Sequence, residues 1–225
     1  MTINEADYPK PISYDSTKKI LDQMAKNICK IYIEGKINTD SKRGTGFFTK
    51  ISVEDKLVPV FITNYHVINR EYLESKNEIE VEIYNEKSKV IKIKDKVKYF
   101  NKDYDVTIIE IDEKKDGKYE YLELDDNILN NNKIKQYIGK SIYIIQYPSY
   151  QENQQLSVSY GIIKSRFEEK QYDFIHYCST EFGSSGSPIL NIYNNKIIGI
   201  HKKRSENYNF NVGSFLYYSI KEFID

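Results

Sequence analysis

EFGSSGSPIL, residues 181–190, packs two glycines, three serines and a proline into positions 183–188. That composition rules out a helix, because glycine costs about 1 kcal/mol there and serine competes for backbone hydrogen bonds. A constrained loop is expected instead. Gly183 and Gly186 permit backbone angles that side chains forbid and allow a ligand to approach the main chain. Pro188 stiffens the exit into a strand. Taken alone, the segment also reads as an ordinary surface turn, so the residues around it must decide.

Around this loop the hydrophobic period is mostly that of strands. Short β-favouring runs bounded by turn residues occur at 28–33 (ICKIYI), 44–50, 58–63, 78–84, 89–94 and 105–111. Residues 112–140 are rich in Asp, Asn, Lys and Gly and read as a connector. A second series follows at 141–147, 156–163, 172–178, 187–193, 196–201 and 210–218, before a short C-terminal helix. Two sets of about six strands predict an all-β fold of two antiparallel six-stranded barrels, an arrangement that removes exposed edges. The expected divisions are an N-terminal extension with a helix (1–27), a first barrel (28–124), a linker (125–140) and a second barrel with the C-terminal helix (141–225). The N-terminal helix is expected from Ser16, which can cap it, with Ile20, Leu21, Met24, Ala25 and Ile28 on one face.

Composition narrows the function. Lys plus Arg and Asp plus Glu each number 33, so no net charge recruits nucleic acid or an anionic membrane. The lysines of KSKVIKIKDKVK (87–98) alternate with Val and Ile, as a strand with one solvated face requires. The 21 tyrosines and the absence of tryptophan suit sheet packing with hydroxyls at the rim. Cys29 and Cys178 form no framework of spacings and are expected as free thiols. The N-terminus MTINEADYPKPISYD lacks the basic start and apolar run of a signal peptide, and no apolar stretch reaches the roughly 20 residues of a membrane span. A cytoplasmic protein is expected.

A nucleophilic serine needs a base, a carboxylate to orient the base, and backbone N–H groups for the developing oxyanion. The sequence has three histidines. His66, in TNYHVI, sits where an apolar strand gives way to a turn, a place from which side chains reach clefts. His176 lies within a strand and reads as a hydrogen-bonded histidine. A metal pair of His176 and Cys178 lacks a second pair of ligands at suitable spacing. Asp105 leads the otherwise apolar DVTIIEI strand, and an acid entering such a setting needs partners. Asp103 competes with it for the same role.

GSSGSP (183–188), TNYHVI, the GTGFF strand before it and DVTII together resemble trypsin-like serine proteases of the chymotrypsin double-barrel fold, in the chain order His, Asp, Ser. The resemblance covers residues 28–224. It is nearest to the disulfide-free branch of glutamyl endopeptidases and exfoliative toxins, which shares a similar serine loop, a following GIH strand and a late strand like FNVG.

The resemblance implies Ser185 as nucleophile, His66 as general base and acid, Asp105 as orienting carboxylate, and the Gly183 and Ser185 amides as oxyanion donors. It also marks departures. Ser184 stands where trypsins carry the aspartate that receives the new N-terminus, and Ser187 where many relatives have glycine. Lys202 replaces a residue that helps hold the catalytic aspartate. Ser179 occupies the base of the primary pocket, which disfavours strict Lys/Arg specificity. Thr180 and His201 match positions that bind an acidic side chain in glutamyl endopeptidases, so cleavage after Glu or Asp is expected. Protein or peptide substrates are implied, with no cofactor or metal, no nucleic acid and no membrane. The alternatives are a catalytically inactive binding module with the same barrels, and an esterase using the same triad.

Overall fold

A computed structural model of the protein describes residues 9–33, 43–84, 86, 88–148, 155–205 and 209–225. The first eight residues of the expected irregular N-terminus, and Lys87 at the head of the charged run, lie outside the described residues.

Helix α1 spans Tyr14–Lys26. Its cap is Ser13 rather than Ser16: the Ser13 hydroxyl accepts from the Ser16 amide at 3.2 Å, which puts the cap three residues before the expected one. The buried face also differs from expectation. Ile20 and Gln23 are buried, Leu21 is exposed, and Ile28 already belongs to the first strand. Gln23 tolerates burial because Nε2 donates to the Asn195 carbonyl at 2.8 Å and Oε1 accepts from the Tyr143 hydroxyl at 2.6 Å.

The first half contains β1 (Ile28–Tyr32), β2 (Arg43–Val53), β3 (Lys56–Thr63), α2 (Arg70–Ser75), β4 (Glu78–Ile83), β5 (Lys89–Lys92), β6 (Lys98–Asn101) and β7 (Val106–Glu110). All six expected strands are present, and β6 is a seventh. The strands pair in the order β5-β4-β1-β2-β3-β7-β6, an antiparallel half-barrel whose ends β5 and β6 do not pair with each other. The EIEVEI alternation of β4 appears directly as one buried and one wetter face.

The connector is more structured than its composition suggests. It carries α3 (Glu113–Asp116), α4 (Asn131–Ile134) and a 3-10 turn over Lys135–Tyr137. Leu122 and Leu124 make single parallel bridges to Thr49 and Ile197, tying it to both halves. Buried Asp125 accepts hydrogen bonds from the Asn127 amide, the Tyr137 hydroxyl and the side chains of Asn191 and Asn194.

In the second half β8 (Ser141–Gln146), β9 (Ser157–Arg166), β10 (Asp173–His176), β11 (Pro188–Asn191), β12 (Lys196–Arg204) and β13 (Asn211–Phe215) close into a barrel, β10-β13-β12-β11-β8-β9. Helix α5 (Leu216–Ile224) follows. Each half has its own apolar core. A third cluster lies between them, joining Phe47, Ile62 and Ile108 of the first sheet to Tyr143, Leu190 and Ile200 of the barrel, with Ile20 of α1 and Ile220 of α5. The shared core fixes the two halves against each other, and the candidate site lies on loops of both. Among the described residues, no helix is long and apolar enough to cross a membrane.

Candidate active site

His66 stands just past the end of β3. The turn that carries it is built on Asn64, whose carbonyl accepts from the Val67 and Ile68 amides at 3.2 and 3.1 Å. The Asn64 side chain donates to the Asp105 carbonyl at 2.8 Å, joining this turn to the residue that opens β7. Asp105 takes a left-handed backbone conformation, with φ of 59°, in which its carboxylate meets His66 twice. Oδ1 accepts from the His66 amide at 2.9 Å and Oδ2 lies 2.7 Å from Nδ1. A carboxylate only accepts, so Nδ1 carries a proton, and in the neutral ring Nε2 keeps its lone pair. The carboxylate beside His66 is that of Asp105, not that of Asp103. Asp103 instead contributes its backbone, with its amide on Asn101 Oδ1 at 2.9 Å.

The serine loop is a stack of turns. The Ser184 amide donates to the Glu181 carbonyl at 3.1 Å, and Gly183 has φ of 88°, the signature of a type II turn over 181–184. Ser184 is fully buried, and its hydroxyl accepts from the Glu181 amide at 3.0 Å, so it braces the loop from within. Gly186, also at φ of 88°, is required by space as well as by angle. A Cβ there would stand 2.1 Å from the Thr45 carbonyl oxygen and 2.5 Å from Thr63 Oγ1. Among the described residues, neither the Gly183 nor the Ser185 amide is used in a hydrogen bond. These are the two amides expected to face an oxyanion.

Thr45, from the GTGFF strand, was not singled out by sequence. It is the clamp between the halves. Its amide donates to the Ser185 carbonyl at 2.8 Å, and its hydroxyl donates to the Gly183 carbonyl at 2.8 Å while accepting from the Tyr147 amide at 3.1 Å. Its own carbonyl accepts from Thr63 Oγ1 at 2.8 Å, one residue before Asn64. The serine loop and the histidine turn are thus braced on one residue. The Ser185 hydroxyl itself donates to the Lys202 carbonyl at 3.3 Å. Among the described residues, no hydrogen bond joins it to the His66 ring.

The expected pocket residues come from the barrel. Ser179 is exposed, its amide donating to Ser159 Oγ at 2.7 Å and its carbonyl accepting from Gln146 Nε2 at 3.0 Å. Thr180 is buried and donates to Asn211 Oδ1 at 2.8 Å. His201 is buried beside His176, with His201 Nδ1 and His176 Nε2 3.2 Å apart. The Cys178 amide donates to His176 Nδ1 at 3.4 Å. This fixes both tautomers: His176 Nδ1 accepts, so its Nε2 carries the proton and donates to His201 Nδ1, and His201 Nε2 carries the remaining proton. Burial holds both rings neutral. His201 is pushed down to about 3, with the charge His66 can carry as a second, smaller cause, and His176 well below its usual range by burial and then by His201. Among the described residues, no group of three or more His, Cys, Asp or Glu side chains is arranged to hold a metal ion.

A search of curated proteins found no match to this sequence. Among solved structures, the fold is similar to the crystal structure of the serine endoprotease from Yersinia pestis, with a TM-score of 0.65 and 18% sequence identity. That similarity covers 96% of this chain and 68% of the other. The half-barrel, the closed barrel and the loops between them are therefore a chymotrypsin-like fold. The sequence profile of the trypsin-like peptidase domain matches residues 44–200, a span that begins at the strand bearing Thr45 and ends beside His201. On that match, the chain belongs to the trypsin-like peptidase family.

Proposed function

We propose that this protein is a serine endopeptidase in which Ser185 attacks a peptide carbonyl, His66 moves the proton and Asp105 orients His66. The observation that carries this reading is the double contact of Asp105 with His66, through the backbone amide and Nδ1, which leaves Nε2 as the basic nitrogen. To attack, the Ser185 hydroxyl leaves the Lys202 carbonyl, to which it donates at 3.3 Å, and gives its proton to that nitrogen. The tetrahedral oxyanion is received by the unengaged Gly183 and Ser185 amides, where loss of one donor typically costs about 3–4 kcal/mol of barrier. His66 then protonates the leaving amine, and water, activated by the same ring, releases the acyl group.

For the primary pocket, cleavage after Glu or Asp is the reading supported by His201, as in the glutamyl endopeptidase branch; the hydroxyl proton of Thr180, the other residue expected there, is given to Asn211 Oδ1 instead. The Cys178–His176–His201 chain ends in an Nε2–H donor, suited to a carboxylate oxygen. Glu181, which would repel such a side chain from inside the pocket, is exposed.

The test is fluorophosphonate labelling and casein cleavage by the wild type, Ser185→Ala and His66→Ala, followed by a peptide library read at the residue before the cut. Labelling lost in both variants and cuts after acidic residues are expected. Cuts after Arg or large apolar residues would overturn the pocket assignment. The resting bond of Ser185 to Lys202 favours one other reading, a binding module that retains the loop without turnover. Wild-type protein that neither labels nor cleaves would establish it.

A further inference from the structure

Lys202 follows His201 on β12. Lys202 is buried, and its three ammonium protons have three acceptors. They are the carbonyl of Asp103 at 3.0 Å and the two carboxylate oxygens of Asp173 at 3.0 and 3.1 Å. Asp173 is itself buried on β10. The ammonium therefore does not touch the Asp105 carboxylate, both of whose oxygens are engaged by His66.

From these contacts we infer that Lys202, anchored by Asp173, is a positioning residue for Asp105, acting through the main chain of the β6–β7 loop. The inference rests on the serine peptidase reading above. Asp105 sits at φ of 59°, a conformation that costs a side-chain-bearing residue of the order of 1 kcal/mol and persists only when its surroundings enforce it. The enforcement comes from both sides. Two residues before, Lys202 holds the Asp103 carbonyl; at Asp105 itself, Asn64 holds the carbonyl at 2.8 Å.

Between them, the Tyr104 ring lies edge-on to Tyr172, with centroids 4.8 Å apart, and its hydroxyl donates to Glu222 of α5 at 2.8 Å. Tyr99 and Asn101 reach the same carboxylate at 2.7 and 3.1 Å. The loop that carries the acid is thus fastened to the barrel half, not only to its own sheet. Lys202 also accepts the Ser185 hydroxyl on its backbone carbonyl, so one residue touches both the nucleophile and the loop of the acid.

A buried ion pair is a poor source of net stability, because desolvation offsets the attraction. Burial pushes the Asp173 carboxyl up, outweighing the pull of the neighbouring ammonium. Its worth lies in geometry, and that separates positioning from simple support of the fold.

The experiment compares Lys202→Met with the charge-balanced double variant Lys202→Met/Asp173→Asn. Steady-state kinetics on the best library peptide, denaturant unfolding and the downfield proton resonance of His66 Nδ1–H are measured for each. In the double variant, which leaves no unpaired buried charge, stability near wild type is expected. Its kcat is expected to fall about 10- to 100-fold with KM changed less than about 2-fold, the loss typical of a misplaced catalytic group. The resonance is expected to shift or broaden beyond detection. A stable double variant with wild-type kcat and an unmoved resonance overturns the inference. So does a single variant whose kcat loss disappears once Asp173 is neutralised. The resonance is read without turnover: an inactive wild type would refute the peptidase reading, while a moved resonance would still show Lys202 setting the His66–Asp105 pair.

Discussion

Replacing Thr45 with valine keeps the shape and β-branching of the side chain while deleting one oxygen. That oxygen donates to the Gly183 carbonyl at 2.8 Å and accepts from the Tyr147 amide at 3.1 Å, at a fully buried position. Water has no access to replace either bond. A buried polar group deprived of its partner costs about 1–3 kcal/mol, so two such groups predict a loss of about 2–6 kcal/mol in unfolding free energy. The effect extends beyond stability, because the Gly183 carbonyl belongs to the turn whose amide is expected to face the oxyanion. A slower rate of fluorophosphonate labelling is therefore expected alongside the lower denaturation midpoint. Thr45→Ser, which retains the hydroxyl, should recover most of both losses. If Thr45→Val loses less than about 1 kcal/mol and labels at the wild-type rate, the clamp is not what holds the serine loop.

Three further outcomes follow from the same geometry. Gly186→Ala should destabilise the protein by about 2–5 kcal/mol, combining a left-handed backbone penalty with a Cβ 2.1 Å from the Thr45 carbonyl; wild-type thermal unfolding would contradict it. Asp105→Asn should reduce acylation about 10³- to 10⁴-fold, because the amide no longer secures the tautomer with its basic nitrogen at Nε2; stopped-flow acylation rates that stay within tenfold of wild type would exclude Asp105 from that role. Unfolding free energy should fall as pH drops below about 6.5, since the unfolded chain protonates its histidines while buried His176 and His201 remain neutral, His201 down to about 3. The slope should reach about 1.4 kcal/mol per pH unit for each histidine. Urea titrations at several pH values measure it, and a slope unaltered by His176→Phe would count against the buried pair.

The legibility of this fold in its sequence was uneven for physical reasons. Every expected strand formed, because alternation such as EIEVEI records directly which side of a sheet is dry. The strand Lys98–Asn101 escaped notice because all four of its residues are half-buried, so it writes no alternation at all. The cap of α1 was displaced because SYDS offers two serines three residues apart, and only the geometry of the entering chain selects the first. In the candidate site, His66 and Asp105 were visible as polar residues at the ends of apolar strands, and Ser185 through the glycines its turns require. Thr45, Asp173 and the ammonium of Lys202 were not. Their partners lie 138, 29 and 99 residues away along the chain, and no local pattern marks such pairs.

The half-barrel leaves β5 and β6 as its outer strands, whereas the second barrel has none. An outer strand offers unused hydrogen-bonding groups to any passing extended chain, including another molecule of the same protein. Here those rims carry Lys89, Lys92 and Lys98. Lysines on an outer strand disfavour strand-by-strand pairing, and on β5 the rim is further closed by Asp116 of α3, whose Oδ1 accepts from the Lys92 amide at 3.1 Å.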